Sequence, residues 1–387
     1  MVLYDEMNLR HLPVGRCLSY NTGQQRKLFG KEWENNCCLP QQNMRYPMDL
    51  PENGTIGFLA PSFGCATEPY YSCFMNALKK LCHMGYHTVL GPNVTRAEGI
   101  GISNTPEACA KEVMEMFAGQ SDVLISCGGG ELMCEILPYV DFAKLAALPP
   151  KWFMGYSDNT NLTFLLATLA DTAAVYGPCA KTLGMEPWHP SIQDALDLLK
   201  GTNRTAHSYD LWERVDPAEE LGPLAPYHVT EPVEIRSFVG GKEVTGEKLL
   251  FSGRLLGGCL DCLANLVGTK YDKVQEFGDK YKGDGIIWFL EACDLNVFSI
   301  RRAIWQLREA GWFRYAKGFL IGRPANGETM MNLDHFQAVL GMVGSLNVPV
   351  IMDVDLGHLP PMMPLVEGSL AAVTVEGNEL SIEMKYL

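Results

Sequence analysis

The sequence predicts an α/β protein, with a mainly parallel sheet covered by helices in its first half and a smaller, strand-rich domain in its second. Three observations lead there. The chain has 387 residues, 47% of them hydrophobic, enough for two cores or one large one. Between residues 55 and 169, apolar runs with strand character alternate with segments at helical spacing, as βαβ units require. A proline-rich stretch at 185–245 then separates this block from a second group of strands with a β-rich tail.

Taken in order, residues 1–43 show no sustained period and carry the polar run Asn21 to Arg26 and the pair Cys37 and Cys38. They are expected to be a disordered or non-native extension, with Met44 as the start of the fold. Thr55 to Ala60 reads as a strand bounded by turn residues. Pro69 to Gly85 spaces Tyr70, Phe74, Ala77, Leu78 and Leu81 as one helix face, and His87 to Leu90 is a short second strand. Thr105 to Phe117 is helical, Asp122 to Cys127 is a buried strand, and Gly128 to Gly130 turns into a helix expected from Glu131 onward. Lys151 to Gly155 is another strand, with Ser157 and Asp158 placed to cap a helix from Thr160 to Leu169. The domain should span 44–184.

Pro187, Pro190, Pro217, Pro223, Pro226 and Pro232 make 185–245 read as a linker with a surface insertion and one strand near Val233 to Phe238. The second domain, 246–387, should hold a strand from Leu249, a helix from Leu260 to Val267, the strand Gly285 to Glu291 and a helix from Ser299 to Ala310. Strands at Gly318 to Ile321 and Val348 to Val354 and the tail Ala371 to Met384 complete it.

Thirty-one Lys and Arg stand against 45 Asp and Glu, a formal charge of −14. Binding to nucleic acid needs clustered cations and is a poor expectation for such a chain. No segment reaches the roughly 18 to 20 apolar residues of a membrane helix. Thirteen scattered cysteines in a chain this long suggest a reducing, cytoplasmic setting rather than disulfide staples.

Three places carry chemistry. The Gly128 to Gly130 turn joins a buried strand to a helix start, where outward N–H groups can hold a phosphate or an oxyanion. The chain lacks G-x-G-x-x-G and P-loop patterns, so no cofactor is expected. Glu291 ends a strand where parallel sheets deliver side chains to a ligand crevice, and His358 follows the strand Val348 to Val354 in a turn-rich loop. Together they are two members of a hydrolase triad, with His as the proton carrier and Glu as its orienting partner. Cys259 and Cys262 form a C-x-x-C, but no second pair completes a metal site.

The ordered motifs Ala60-Pro61-Ser62-Phe63, the glycine turn followed by Ile136 to Asp141, Gly155-Tyr156-Ser157-Asp158, Gly253 to Gly258, Phe289-Leu290-Glu291 and Gly357-His358 resemble the LD-carboxypeptidase family, which includes the microcin-immunity hydrolases. The resemblance covers about 44–387. It implies a flavodoxin-like N-terminal domain, a smaller β-rich C-terminal domain, and a Ser-Glu-His triad in the cleft between them. It also implies a homodimer and a peptide, muropeptide or peptidyl-conjugate substrate.

Glu291 and His358 match the family's relay residues, and Gly129, Gly130, Glu131, Ser157 and Asp158 fall in its oxyanion and substrate-binding segments. The nucleophile does not match: counted back from Leu137-Pro138, Met133 stands where serine is expected. A thioether cannot attack a carbonyl and carry the acyl group. The neighbouring Cys134 is the first substitute if the turn shifts by one residue, and the hydroxyls of Ser62 and Ser157 come next. Glu131 is also open to a capping role. Two functions are therefore expected from this sequence: a hydrolase with a replaced nucleophile, or a relative that binds such ligands without cutting them.

Overall fold

Five strands of a six-stranded sheet run parallel in the order Ala174–Tyr176, Trp152–Gly155, Val123–Ser126, Thr55–Leu59 and His87–Leu90. The computed structural model describes residues 43–214 and 221–386. The extension expected over 1–43 therefore lies, apart from Asn43, outside the described residues. Each of these strands but His87–Leu90 is buried almost throughout, which is why they read as unbroken apolar runs rather than alternating ones.

Helices cover the sheet where the spacing placed them. Tyr70–His83 buries Phe74, Ala77 and Leu81. Pro106–Ala118 begins with the Thr105 side chain accepting from the Ala108 N–H and with Pro at its first position, where a missing N–H costs nothing. Thr160–Ala170 is buried on nearly every face, because it is packed between the two sheets' layers, next to the strand Leu249–Cys259 as well as Ala174–Tyr176.

The helix expected after Glu131 is instead a 3-10 helix, Met133–Tyr139, with Pro138 inside it. Proline cannot donate to the preceding turn, so a full α-helix is not sustained there.

The second sheet has nine strands, and at its centre Leu249–Cys259, Ile286–Glu291, Ala316–Gly322 and Pro349–Val354 run parallel. Leu370–Glu376 pairs antiparallel with Leu249–Cys259, and Glu379–Lys385 pairs antiparallel with Leu370–Glu376. These are the β-rich tail read from the sequence.

Two features depart from the expected division at 184 and 246. The stretch 185–245 is woven into the fold: Pro190–Leu199 is a helix, Thr205–His207 pairs with Glu379–Lys385, and Arg236–Val239 pairs with Pro349–Val354. Pro190 marked a helix start rather than loop, since the first helical position needs no N–H. Conversely, Leu365–Glu367 crosses back to pair antiparallel with Ala174–Tyr176 at the edge of the first sheet. The two sheets are thus stitched by strands that each borrows from the far part of the chain. Among the described residues no helix is long and apolar enough to cross a membrane.

Candidate active site

The carboxyl ends of the parallel strands of both sheets meet in one cleft. From the second sheet comes Glu291, the last residue of Ile286–Glu291. His358 follows in the turn after Pro349–Val354. From the first sheet come the glycine turn after Val123–Ser126, Ser157 after Trp152–Gly155, and Tyr176 at the end of its strand.

Glu291 is 1% exposed and its carboxylate is fully engaged. Oε2 accepts from His358 Nδ1 at 2.8 Å, and Oε1 accepts from the Tyr176 hydroxyl at 2.5 Å. A Cβ on Gly357 would lie 2.6 Å from Oε2, and the residue has φ +102°. Only glycine lets the histidine loop pass this close to the carboxylate.

With Nδ1 committed to the carboxylate, the other ring nitrogen faces the cleft. Ser157 Oγ lies 2.8 Å from His358 Nε2. Ser157 has φ +62°, a left-handed conformation that costs a non-glycine residue about 1–3 kcal/mol and gathers at functional sites. Its backbone N–H donates to the Tyr176 hydroxyl at 3.2 Å. One phenol therefore ties the serine backbone to the carboxylate that orients the histidine.

The glycine turn sits directly on this serine. A Cβ on Gly129 would lie 3.0 Å from Ser157 Cβ and 3.1 Å from Oγ. Gly128 O accepts from Ser126 Oγ at 3.0 Å and Asn159 Nδ2 at 2.8 Å, and Gly129 O accepts from the Phe63 N–H at 2.7 Å. Among the described residues the N–H groups of Gly129 and Gly130 meet no protein acceptor.

The electrostatics follow from this arrangement. Burial by itself would hold the His358 pKa down, but the Glu291 charge, the ring's hydrogen bond to Glu291 and the nearby Cys293 outweigh it and raise it to about 11. Glu291 moves the other way: burial pushes its carboxyl up, and the His358 charge with the bonds from His358 and Tyr176 brings it below the usual value. The resting pair is an ion pair, with the imidazole holding its proton.

The chain matches the LD-carboxypeptidase N-terminal domain over residues 56–177 and the LD-carboxypeptidase C-terminal domain over 252–373, together well over half its length. It belongs to the LD-carboxypeptidase family. The microcin C7 self-immunity protein MccF of Escherichia coli is 23% identical across 87% of this chain and 95% of that protein. The murein tetrapeptide carboxypeptidase of Pseudomonas aeruginosa is 24% identical across 85% and 95%. The wild-type apo structure of MccF superposes with a TM-score of 0.72, at 20% identity, over 88% of this chain and 99% of that one, so the fold is shared.

Against this LD-carboxypeptidase frame the expected site residues divide. Glu291 and His358 are in direct contact, although 67 residues apart in sequence. Met133, at the position where serine is expected, does not face the cleft. It is 0% exposed, its N–H donates to Asp158 Oδ2 at 2.9 Å, and the 3-10 turn rolls its side chain into the core with Ile136 and Leu137.

Cys134 is half-buried beside Ser157 and Asp158 in a side cavity of about 110 Å³. Burial and the nearby Asp158 charge push its thiol up, away from the thiolate. Among the described residues no contact joins it to His358, whose Nε2 is taken by Ser157. Ser62 is 0% exposed and spends its hydroxyl on Asp158 Oδ2 at 2.5 Å.

Asp158 itself is 4% exposed and also accepts from Asn161 Nδ2 at 3.1 Å. It ties the Ser62 hydroxyl and the Met133 N–H to the Ser157 turn, and it also lines the side cavity. Glu131 is exposed and lines the same side cavity, its N–H donating to Gly101 O at 3.1 Å. It does not cap the 3-10 helix Met133–Tyr139, whose start has no side-chain cap.

Sequence reasoning passed over Tyr176 and Cys293. The position of Tyr176 at a strand's carboxyl end was a signal available for the first. Cys293 stands two residues beyond Glu291, near enough to help raise the His358 pKa.

Proposed function

We propose that this protein hydrolyses an amide bond of a small peptide, muropeptide or peptidyl conjugate, with Ser157 as the nucleophile in place of the missing serine at 133. The observation that carries the reading is the unbroken chain Ser157 Oγ, His358 Nε2, His358 Nδ1 and Glu291 Oε2, with both links at 2.8 Å. Once His358 has lost its proton, Nε2 takes the proton of Ser157 as Oγ attacks the carbonyl carbon. The N–H groups of Gly129 and Gly130, which meet no acceptor among the described residues, receive the oxyanion. His358 then returns the proton to the leaving amine as the C–N bond breaks. Water, deprotonated by the same imidazole, cleaves the acyl ester and restores the serine.

The relatives' names set the substrates worth trying, since one acts on murein tetrapeptides and another gives immunity to microcin C7. A cleft cavity of about 400 Å³ that includes His358 suits a ligand of that size. The buried Met133 favours the second reading, a protein that binds without cutting, only if Ser157 is inert.

A fluorophosphonate separates the two without knowledge of the substrate. An activated serine displaces fluoride, forming an O–P bond as His358 accepts the proton, and the adduct is located by mass spectrometry. We expect an adduct on Ser157 that is lost in Ser157→Ala and His358→Ala and retained in Cys134→Ala and Cys293→Ala, with turnover of L,D-dipeptides and tetrapeptides following the same order. Unlabelled Ser157 together with turnover abolished by Cys293→Ala would move the nucleophile to that thiol. A wild type inert to label and peptides would leave a binding protein.

A further inference from the structure

The cavity of about 400 Å³ that opens on His358 has mostly apolar and aromatic walls, including Tyr70, Tyr156, Tyr227 and Met362. Lys181 breaks that pattern. It stands in the 3-10 helix Ala180–Gly184, and its N–H donates to Cys127 O at 3.4 Å, which fixes it beside the strand end that leads into the glycine turn. Its ammonium lies 4.3 Å over the Tyr70 ring. Among the described residues no carboxylate pairs with it, although the chain as a whole carries 45 acidic residues against 31 basic ones. The acidic wall residue Glu213 is 4% exposed and already accepts from the His228 N–H.

We propose that Lys181 is an anion-binding residue of the substrate cleft, seating a carboxylate or phosphate on the half of the substrate that occupies this cavity. A half-buried ammonium beside an aromatic ring, with no ion-pair partner among the described residues, gains from a ligand anion both a charge partner and acceptors for its three N–H groups. The rings give apolar contact to the rest of that half. Lys181 would thereby select substrates with a free acidic terminus over neutral amides of the same shape. The proposal rests on the hydrolase reading for its purpose but not for its test, which measures binding.

Calorimetry on the full chain compares N-acetyl-L-alanyl-D-alanine with its C-terminal carboxamide, and AMP with adenosine, each against wild type, Lys181→Met and Lys181→Arg. Melting curves confirm that the variants are folded. We expect the anionic member of one pair to bind at least tenfold tighter than its neutral partner, with that preference lost in Lys181→Met and kept in Lys181→Arg. The pair that shows it tells whether the anion is a carboxylate or a phosphate. Equal affinity of Lys181→Met and wild type for both anions, or no binding of either anion to wild type, overturns the proposal. Loss of the Ser157 adduct would remove the hydrolase reading and leave this result standing.

Discussion

Adding one methyl group to Gly129 tests whether the glycine turn and Ser157 form a single reacting unit. The new Cβ would sit 3.0 Å from Ser157 Cβ and 3.1 Å from Oγ, so the serine must retreat by about 0.4 Å to reach ordinary van der Waals contact. It has little freedom to do so, because Tyr176 holds its N–H and His358 holds its hydroxyl. The 2.8 Å link to Nε2 is the contact that yields. A misplacement of about 1 Å at a reacting centre costs on the order of 10²-fold, so a smaller one should lower kcat roughly 10- to 100-fold. Fold stability should change by less than about 1 kcal/mol, the local crowding being offset by the lower unfolded-state entropy of alanine. The assay pairs peptide turnover and the fluorophosphonate labelling rate with a thermal melt of Gly129→Ala. Labelling and turnover within about twofold of wild type, at unchanged Tm, would refute the claim that this turn packs against the nucleophile.

Three further outcomes follow from the same geometry. Tyr176→Phe removes the hydroxyl that both receives the Ser157 N–H and donates to Glu291; kcat should fall roughly tenfold or more, and the acid limb of the rate should move to higher pH, since a less solvated carboxylate holds the His358 proton more firmly. A purely structural tyrosine would leave that limb in place. In Glu291→Gln the raised His358 pKa is lost. A histidine whose folded pKa of about 11 exceeds its unfolded 6.5 adds stability that is complete below 6.5 and disappears as pH rises through the folded value, so the Tm gap between variant and wild type should be wide at pH 6.5 and close in strongly alkaline buffer. Arg323→Met would strip the guanidinium from Asp355, which is 0% exposed, accepts from the Tyr209 N–H at 2.8 Å and sits three residues before His358. Urea melts should show a loss of about 3–5 kcal/mol, as for other broken buried pairs, and a loss under 1 kcal/mol would show that the pair does not anchor the histidine loop.

Much of the scaffold was written locally. The strands Thr55–Leu59, Val123–Ser126, Trp152–Gly155 and Ile286–Glu291 are continuous apolar runs with turn residues at their ends, a signal that needs no knowledge of the partner strand. Glu291 at a strand's carboxyl end and His358 in the loop after another could be read as a pair on the same grounds. The segment 185–245 was less legible because proline marks loops and helix starts alike, and only pairing to Glu379–Lys385 and Pro349–Val354 decides which role each short segment takes.

The sequence by itself determined the α/β alternation, the placing of Glu291 and His358 at strand ends and the absence of a serine at 133, since each depends on residue type and short-range spacing. It could not say which side chain would meet His358. That was decided by tertiary structure: Ser157 and His358 are 201 residues apart and come from different sheets. Their contact depends on a left-handed backbone at Ser157 that a buried tyrosine from a third strand holds in place. Spacing along a chain carries no information about such a meeting, because it arises only when two sheets close over a shared cleft.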